Sequence, residues 1–213
     1  MAEQPQPGAG EKRGNHRGEG RRRAILNALH DCIIEQGYAR TTLADIARKA
    51  GMSPSHLLYY FDGKDAILSD YFQRVGNRIV ARMQSFLSEP PSRQIELLSD
   101  LFFAGKGITR FEIGFMLECF GVAVHDTRLH GEKAELDRAC KACLRELFRA
   151  APSRERARDC AEIGYALLIG LRTAAFFDRE LGPLKARELF RNEMYSLAGL
   201  APDGSDACTA AGN

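Results

Sequence analysis

This 213-residue chain shows no apolar run approaching the roughly 18 residues of a membrane-spanning helix, and its hydrophilic N-terminus has no signal-like core. A cytoplasmic, non-membrane protein is expected. Strand-like alternation of apolar and polar residues is missing, as is any repeat of fixed period, which argues against β architectures and solenoids. Also missing are a phosphate loop, an HExxH pair and a nucleophile elbow, so nothing suggests an enzyme or a bound cofactor. There is little net charge. The 30 Lys and Arg against 28 Asp and Glu leave only +2, which by itself argues neither for nor against nucleic acid. Six cysteines are present, Cys32, Cys119, Cys140, Cys143, Cys160 and Cys208, but a disulfide framework belongs to small secreted chains. Cys140 and Cys143 form a CxxC without a second CxxC or a nearby His pair, so core packing explains them better than a metal or redox site.

What is present is a core-forming composition with an uneven charge distribution. Apolar residues make up 45% of the chain, enough for a sizeable core. Residues 1–64 hold ten Lys or Arg and seven Asp or Glu, an excess of +3, whereas the remainder holds twenty and twenty-one. The basic excess is concentrated in Lys12, Arg13, Arg17 and Arg21 to Arg23, against Glu3, Glu11 and Glu19. A basic arm of this kind suits phosphate neutralisation or minor-groove entry, and equally a solvated tail.

The segment TTLADIARKAGMSPSHLLYYFDGKDAIL, residues 41–68, carries the densest local information. Thr42 can cap a helix whose apolar residues Leu43, Ile46, Ala47 and Ala50 recur at helical spacing. Gly51 closes that helix, and Ser53 with Pro54 supplies a cap and first-turn proline for another, running to about Tyr60. The inward residues of the second helix are Leu57 and Phe61. These are the proportions of a helix-turn-helix, whose second helix enters the major groove. Ahead of it, Ile25, Ala28, Leu29, Cys32 and Ile33 mark one face of a bracing helix that starts near Arg21 and ends at Gly37.

Thr41-Thr42, Ile46-Ala47, Ala50-Gly51, Ser53, Tyr59-Tyr60-Phe61 and Lys64, in register, resemble the DNA-binding end of TetR family transcriptional regulators. The resemblance covers about residues 20–75. It implies that Thr41, Thr42 and Lys64 hold phosphates, that the Ser53-led helix reads DNA, and that an inducer bound elsewhere weakens operator binding. On that helix Ser55 and His56 are candidates for base edges, and Tyr59 and Tyr60 for a phosphate or a thymine methyl. Two positions depart from the family pattern. Leu58 stands where a DNA-touching tyrosine is frequent, and Pro54 where many relatives carry a polar residue.

Beyond Lys64 the pattern predicts a long helix to about Glu89, then helices over Arg93–Phe103, Phe111–Val124, Gly131–Ala150, Ser153–Phe177 and Pro183–Leu197. The expectation is an all-α protein of about nine helices. It comprises a disordered basic tail (1–18), a helix-turn-helix domain (19–66), a helical ligand-binding and dimerisation domain (67–200) and a flexible tail (201–213). Phe102, Phe111, Phe115, Met116, Cys119, Phe120, Tyr165 and Phe176 offer aromatic and soft lining for a small hydrophobic or cationic effector, with Glu118 and Arg172 as polar partners. Phe103, Phe177, Glu112, His125 and His130 lie in the same region. One recognition helix reads few bases, so a two-fold dimer on paired half-sites of double-stranded DNA is expected. Gly164, Leu167, Leu171, Ala174, Ala175, Phe190 and Met194, from the last two helices, are the candidates for its seam. The function that fits is a ligand-responsive regulator, most simply a repressor. A constitutive DNA-binding protein or an activator is the alternative.

Overall fold

The computed structural model describes residues 10–105 and 107–201, and every regular element among them is an α-helix. In chain order these are α1 (Gly10–Gln36), α2 (Leu43–Lys49), α3 (Pro54–Leu58), α4 (Lys64–Ser85), α5 (Pro91–Phe103), α6 (Arg110–Ala123), α7 (Thr127–Leu147), α8 (Arg154–Phe177) and α9 (Gly182–Ala198). The chain forms two compact units that divide after Tyr71. The tail segments 1–9 and 202–213, with Glu3 and Cys208, lie outside the described residues.

Two helix starts differ from expectation by more than two residues. Residues 10–18, expected to be unstructured, are helical in α1. Once the face of Ile25, Leu29 and Ile33 is buried, each further residue costs only its own ordering and gains a hydrogen bond, so the helix extends past its apolar stripe. Helix α7 starts at Thr127 rather than Gly131, because the Asp126 carboxylate accepts the Leu129 amide at 2.7 Å and caps it. Gly131 therefore sits inside the first turns.

In the first unit, Ile25, Leu29, Ile46, Leu57, Ile67 and Leu68 form a closed core. Helix α2 opens with a reciprocal capping box. The Thr42 hydroxyl accepts the Asp45 amide at 3.2 Å, and the Asp45 carboxylate accepts the Thr42 amide at 3.1 Å. Gly51, at φ 68°, supplies the left-handed residue of the turn, and Ser53 caps α3 by accepting the His56 amide.

In the second unit α8 packs against α6, α7 and α9, and α9 also covers α5. Phe115, Ile95, Phe190, Met194 and Tyr195 fill the interior. Arg187 donates to Asp100 at 2.8 Å and to Glu96 at 3.2 Å, and Arg191 also pairs with Glu96, tying α9 to α5. Helix α8, with 24 residues, reaches a mean hydropathy of 1.4 over an 18-residue window, long and apolar enough to cross a membrane, although Arg172 interrupts its apolar run. Here it serves as the bundle's central helix, and Arg172 is buried within it.

Candidate functional site

The helix-turn-helix presents a small polar surface. Ser55 and His56 are exposed, Tyr59 is 82% exposed and Tyr60 is half-buried. Tyr60 stacks at a tilt with His56, ring centroids 5.5 Å apart, and meets the edge of Tyr59 at 5.2 Å. Because Leu57 and Phe61 take the inward positions of this short turn, the tyrosines are left outside the core. Leu58, 48% exposed, stands among them with nothing polar to offer.

Three of the expected phosphate holders have other work. Thr41 is buried, and its hydroxyl donates to the Gly37 carbonyl at 2.8 Å, so it faces inward. The α2 N-terminus where Thr42 lies already holds an anion, the Asp45 carboxylate, which Thr42 and Gln36 hydrogen-bond and which also pairs with Arg48 at 2.7 Å. Hydrogen bonds from Thr42 hold the Asp45 carboxyl below its usual range. Lys64 is half-buried, and its ammonium donates to the Tyr38 and Thr41 carbonyls at 2.9 Å each while standing 4.1 Å over the Tyr38 ring. It fastens the α1–α2 connection to the start of α4. Ser53 is exposed and shares a contact with the Ser55 hydroxyl at 3.1 Å.

The second unit holds a partly open apolar cavity of about 40 Å³ among α4, α5, α6, α7 and α8. Of the expected ligand residues, Phe102, Met116, Phe120, Tyr165 and Arg172 line it. A neighbouring cavity of about 110 Å³ shares Phe102, Ile113 and Arg172 with the first and adds Phe103 and Phe176. The remaining candidates lie elsewhere. Phe111 is 61% exposed and Glu118 is exposed, whereas Phe115 and Cys119 are fully buried and line neither cavity. His125, His130 and Phe177 are exposed. Glu112 is engaged by the Thr109 amide at 2.9 Å and by Arg78. Sequence reasoning missed Ile79 of α4, Ile113 and Leu117 of α6, and Cys140 and Thr173, all on the first cavity's wall.

The cavity's polar atoms are few. Tyr165 donates its hydroxyl to Asp137 at 2.5 Å, and Lys133 bonds the same carboxylate at 2.5 Å. Burial, reinforced by Asp137, pushes the Tyr165 phenol upward. Burial likewise pushes the Cys140 thiol up to about 12 and raises the Cys143 thiol. Among the described residues no group of His, Cys, Asp and Glu is placed to hold a metal.

The expected dimer residues separate by face. Gly164, Ala175, Phe190 and Met194 are buried inside the protomer, and a Cβ on Gly164 would come within 2.9 Å of the Met194 sulfur, so these close α8 on α9 instead of offering an outer surface. Ala174 is exposed and Leu167 and Leu171 are half-buried. They share a stripe with exposed Ile163, Gly170 and Phe177 along the C-terminal part of α8, and Leu184 at the start of α9 is exposed as well.

Comparison with known proteins gives two family matches. The model for bacterial regulatory proteins of the tetR family matches residues 25–71, and that for the C-terminal part of BetI-type transcriptional repressors matches residues 91–199, half of the chain. The chain is 28% identical over 155 residues to the HTH-type transcriptional regulator BetI 1 of Chromohalobacter salexigens, covering 71% of this chain and 76% of that protein. In fold it resembles a transcriptional regulator from Rhodococcus sp. Rha1 at TM-score 0.74 and 17% identity, over 84% of this chain and 96% of that one. It also resembles a Saccharomonospora viridis protein crystallised in complex with choline, at TM-score 0.69 and 19% identity, over 84% of this chain and 96% of the other.

Proposed function

Since this chain belongs to the TetR family of transcriptional regulators and carries a BetI-type C-terminal half, we propose that it is a repressor that binds a palindromic operator as a homodimer and is released by a small apolar-bodied molecule. Regulators of this family bind DNA and ligands and act as dimers. The observation that carries the proposal is the pairing of an exposed polar recognition helix in one unit with an apolar cavity in the other. Ser55 and His56 are the base-reading candidates, supported by Tyr59 and Tyr60. Ser53 and Thr42 remain exposed for secondary contacts.

The dimer forms through the uncovered stripe of α8, where Gly170 and Ala174 allow close helix approach and Ile163, Phe177 and Leu184 supply apolar area. Helix α4 contributes Lys64 to the anchoring of the first unit and Ile79 to the cavity wall of the second. A ligand releases the operator only by binding the DNA-incompetent arrangement more tightly than the competent one.

The test is a gel-shift titration against a palindrome from the promoter region of the protein's own operon. Sequence-preferring, salt-sensitive binding in steps of one dimer is expected. Binding indifferent to sequence would sink the regulator reading.

A further inference from the structure

Arg172 is the one polar residue among those that line both of the apolar cavities described above, and it is buried with a hydrogen-bonding capacity that its surroundings do not fill. The residue is only 9% exposed, and its Nε is buried without a hydrogen-bond partner. Glu112, the carboxylate that acts on it through space, is held by the Thr109 amide and Arg78. Asp137 is held by Lys133 and the Tyr165 hydroxyl. The Cys140 thiol stays neutral. The guanidinium rests 5.2 Å over the Phe102 ring, a contact that steadies it but supplies no acceptor. Burial draws its pKa down to about 10, which still leaves it charged at neutral pH. A buried guanidinium with an unfilled donor is costly, and an acceptor arriving from outside would relieve that cost.

A cation would find no welcome in the same space. An aromatic cage binds a quaternary ammonium through open ring faces. Here Lys133 stands 4.7 Å over Phe120, Lys141 5.5 Å over Tyr165 and Arg172 over Phe102, so each aromatic ring on the first cavity's wall already has a cation of the chain itself over one face. That observation departs from the cationic half of the sequence expectation.

We propose that the effector is an organic carboxylate on an apolar body, its head paired with the Arg172 guanidinium and its body in the adjoining apolar cavities. This rests on reading the second unit as the effector domain. The planar guanidinium fits a carboxylate in two parallel hydrogen bonds, and the dry wall strengthens them. The two cavities meet at Arg172, so a body can extend from it among Phe102, Ile113 and Met116 or toward Phe103 and Phe176.

Three probes of one chain length separate the chemistries: octanoate, octanamide and octyltrimethylammonium, titrated into the full-length protein by calorimetry and thermal shift. Octanoate is expected to bind and raise the melting temperature by mass action. Octanamide should bind roughly tenfold to a hundredfold more weakly, and the cation not at all. In Arg172→Met, octanoate should fall to the level of octanamide, whose own binding is kept, and the unliganded variant should melt no lower than the parent. Arg172→Lys, which keeps the charge, should retain a reduced preference for octanoate. Equal binding of acid and amide, preference for the cation, octanoate binding indifferent to Arg172→Met, or no binding by any probe would each overturn the proposal. Operator binding is measured without probes, so its loss sinks the regulator reading alone, and its persistence beside a failed octanoate titration sinks only this one.

Discussion

At the scale of single residues, the helix-turn-helix shows how one side chain can be claimed by architecture or by function. Lys64 occupies the family's basic anchor position, yet its ammonium spans two carbonyls at 2.9 Å. Lys64→Ala is therefore expected to cost the first unit about 1–2 kcal/mol, discounting for partial exposure, and to lower its melting transition before any change in salt slope appears. His56 has no such duty for its ring beyond the Tyr60 stack. Substituting alanine should cost about 1–3 kcal/mol of operator binding and relax preference at one base position, as binding to a set of single-base operator variants would reveal. Glu112 provides a pH handle. Burial alone would raise its carboxyl, but hydrogen bonds from Thr109 and Arg78 outweigh it and hold the group below its ordinary 4.5. A depressed folded value stabilises above the unfolded one and is lost as pH falls through the folded one. The melting-temperature gap between the parent and Glu112→Gln should then shrink from about pH 6 to about pH 3; a constant gap would disprove the linkage.

At the scale of elements, what the sequence reveals depends on how one-sided each helix is. Helix α9 carries a first-turn proline and α8 a serine cap, so their limits are readable from residue type, whereas α5 starts at Pro91, two residues before the expected Arg93. Helix α6 and the C-terminal part of α8 carry apolar residues on several faces, and period alone cannot say which face meets a cavity. On α6, Ile113, Met116, Leu117 and Phe120 form the cavity face, Phe115 and Cys119 the core face, and Phe111 with Glu118 the outer one. That is why Phe111 and Glu118 were expected in the pocket and Ile113 was not. Helix α8 divides its glycines in the same manner. Gly164 is closed against Met194, whereas Gly170 has nothing within 4 Å of an added Cβ. Gly164→Leu should destabilise the protomer by about 1–3 kcal/mol or more through overpacking. Gly170→Arg should leave the fold intact and shift the protein to monomer, which light scattering after size exclusion would register; a surviving dimer would move the seam off this face.

At the scale of the whole molecule, all-α architecture and the DNA-binding end were legible because capping, turn and core residues agree locally. The effector end was legible only in composition. Its cavity is assembled from residues far apart in the sequence, Ile79 to Thr173, and no local pattern encodes their meeting. If the dimer is the stable form, the melting temperature of the full chain should rise with protein concentration, in calorimetric scans over about a hundredfold range.

The lysine over Phe120 acts as a tethered competitor, a guest that the chain itself supplies. It is held at 4.7 Å from the ring and anchored by Asp137. Evicting it would leave that face of the ring bare and the Asp137 carboxylate held by the Tyr165 hydroxyl alone, so if the effector is an acid as proposed, Lys133→Met should weaken the preference for octanoate over octyltrimethylammonium.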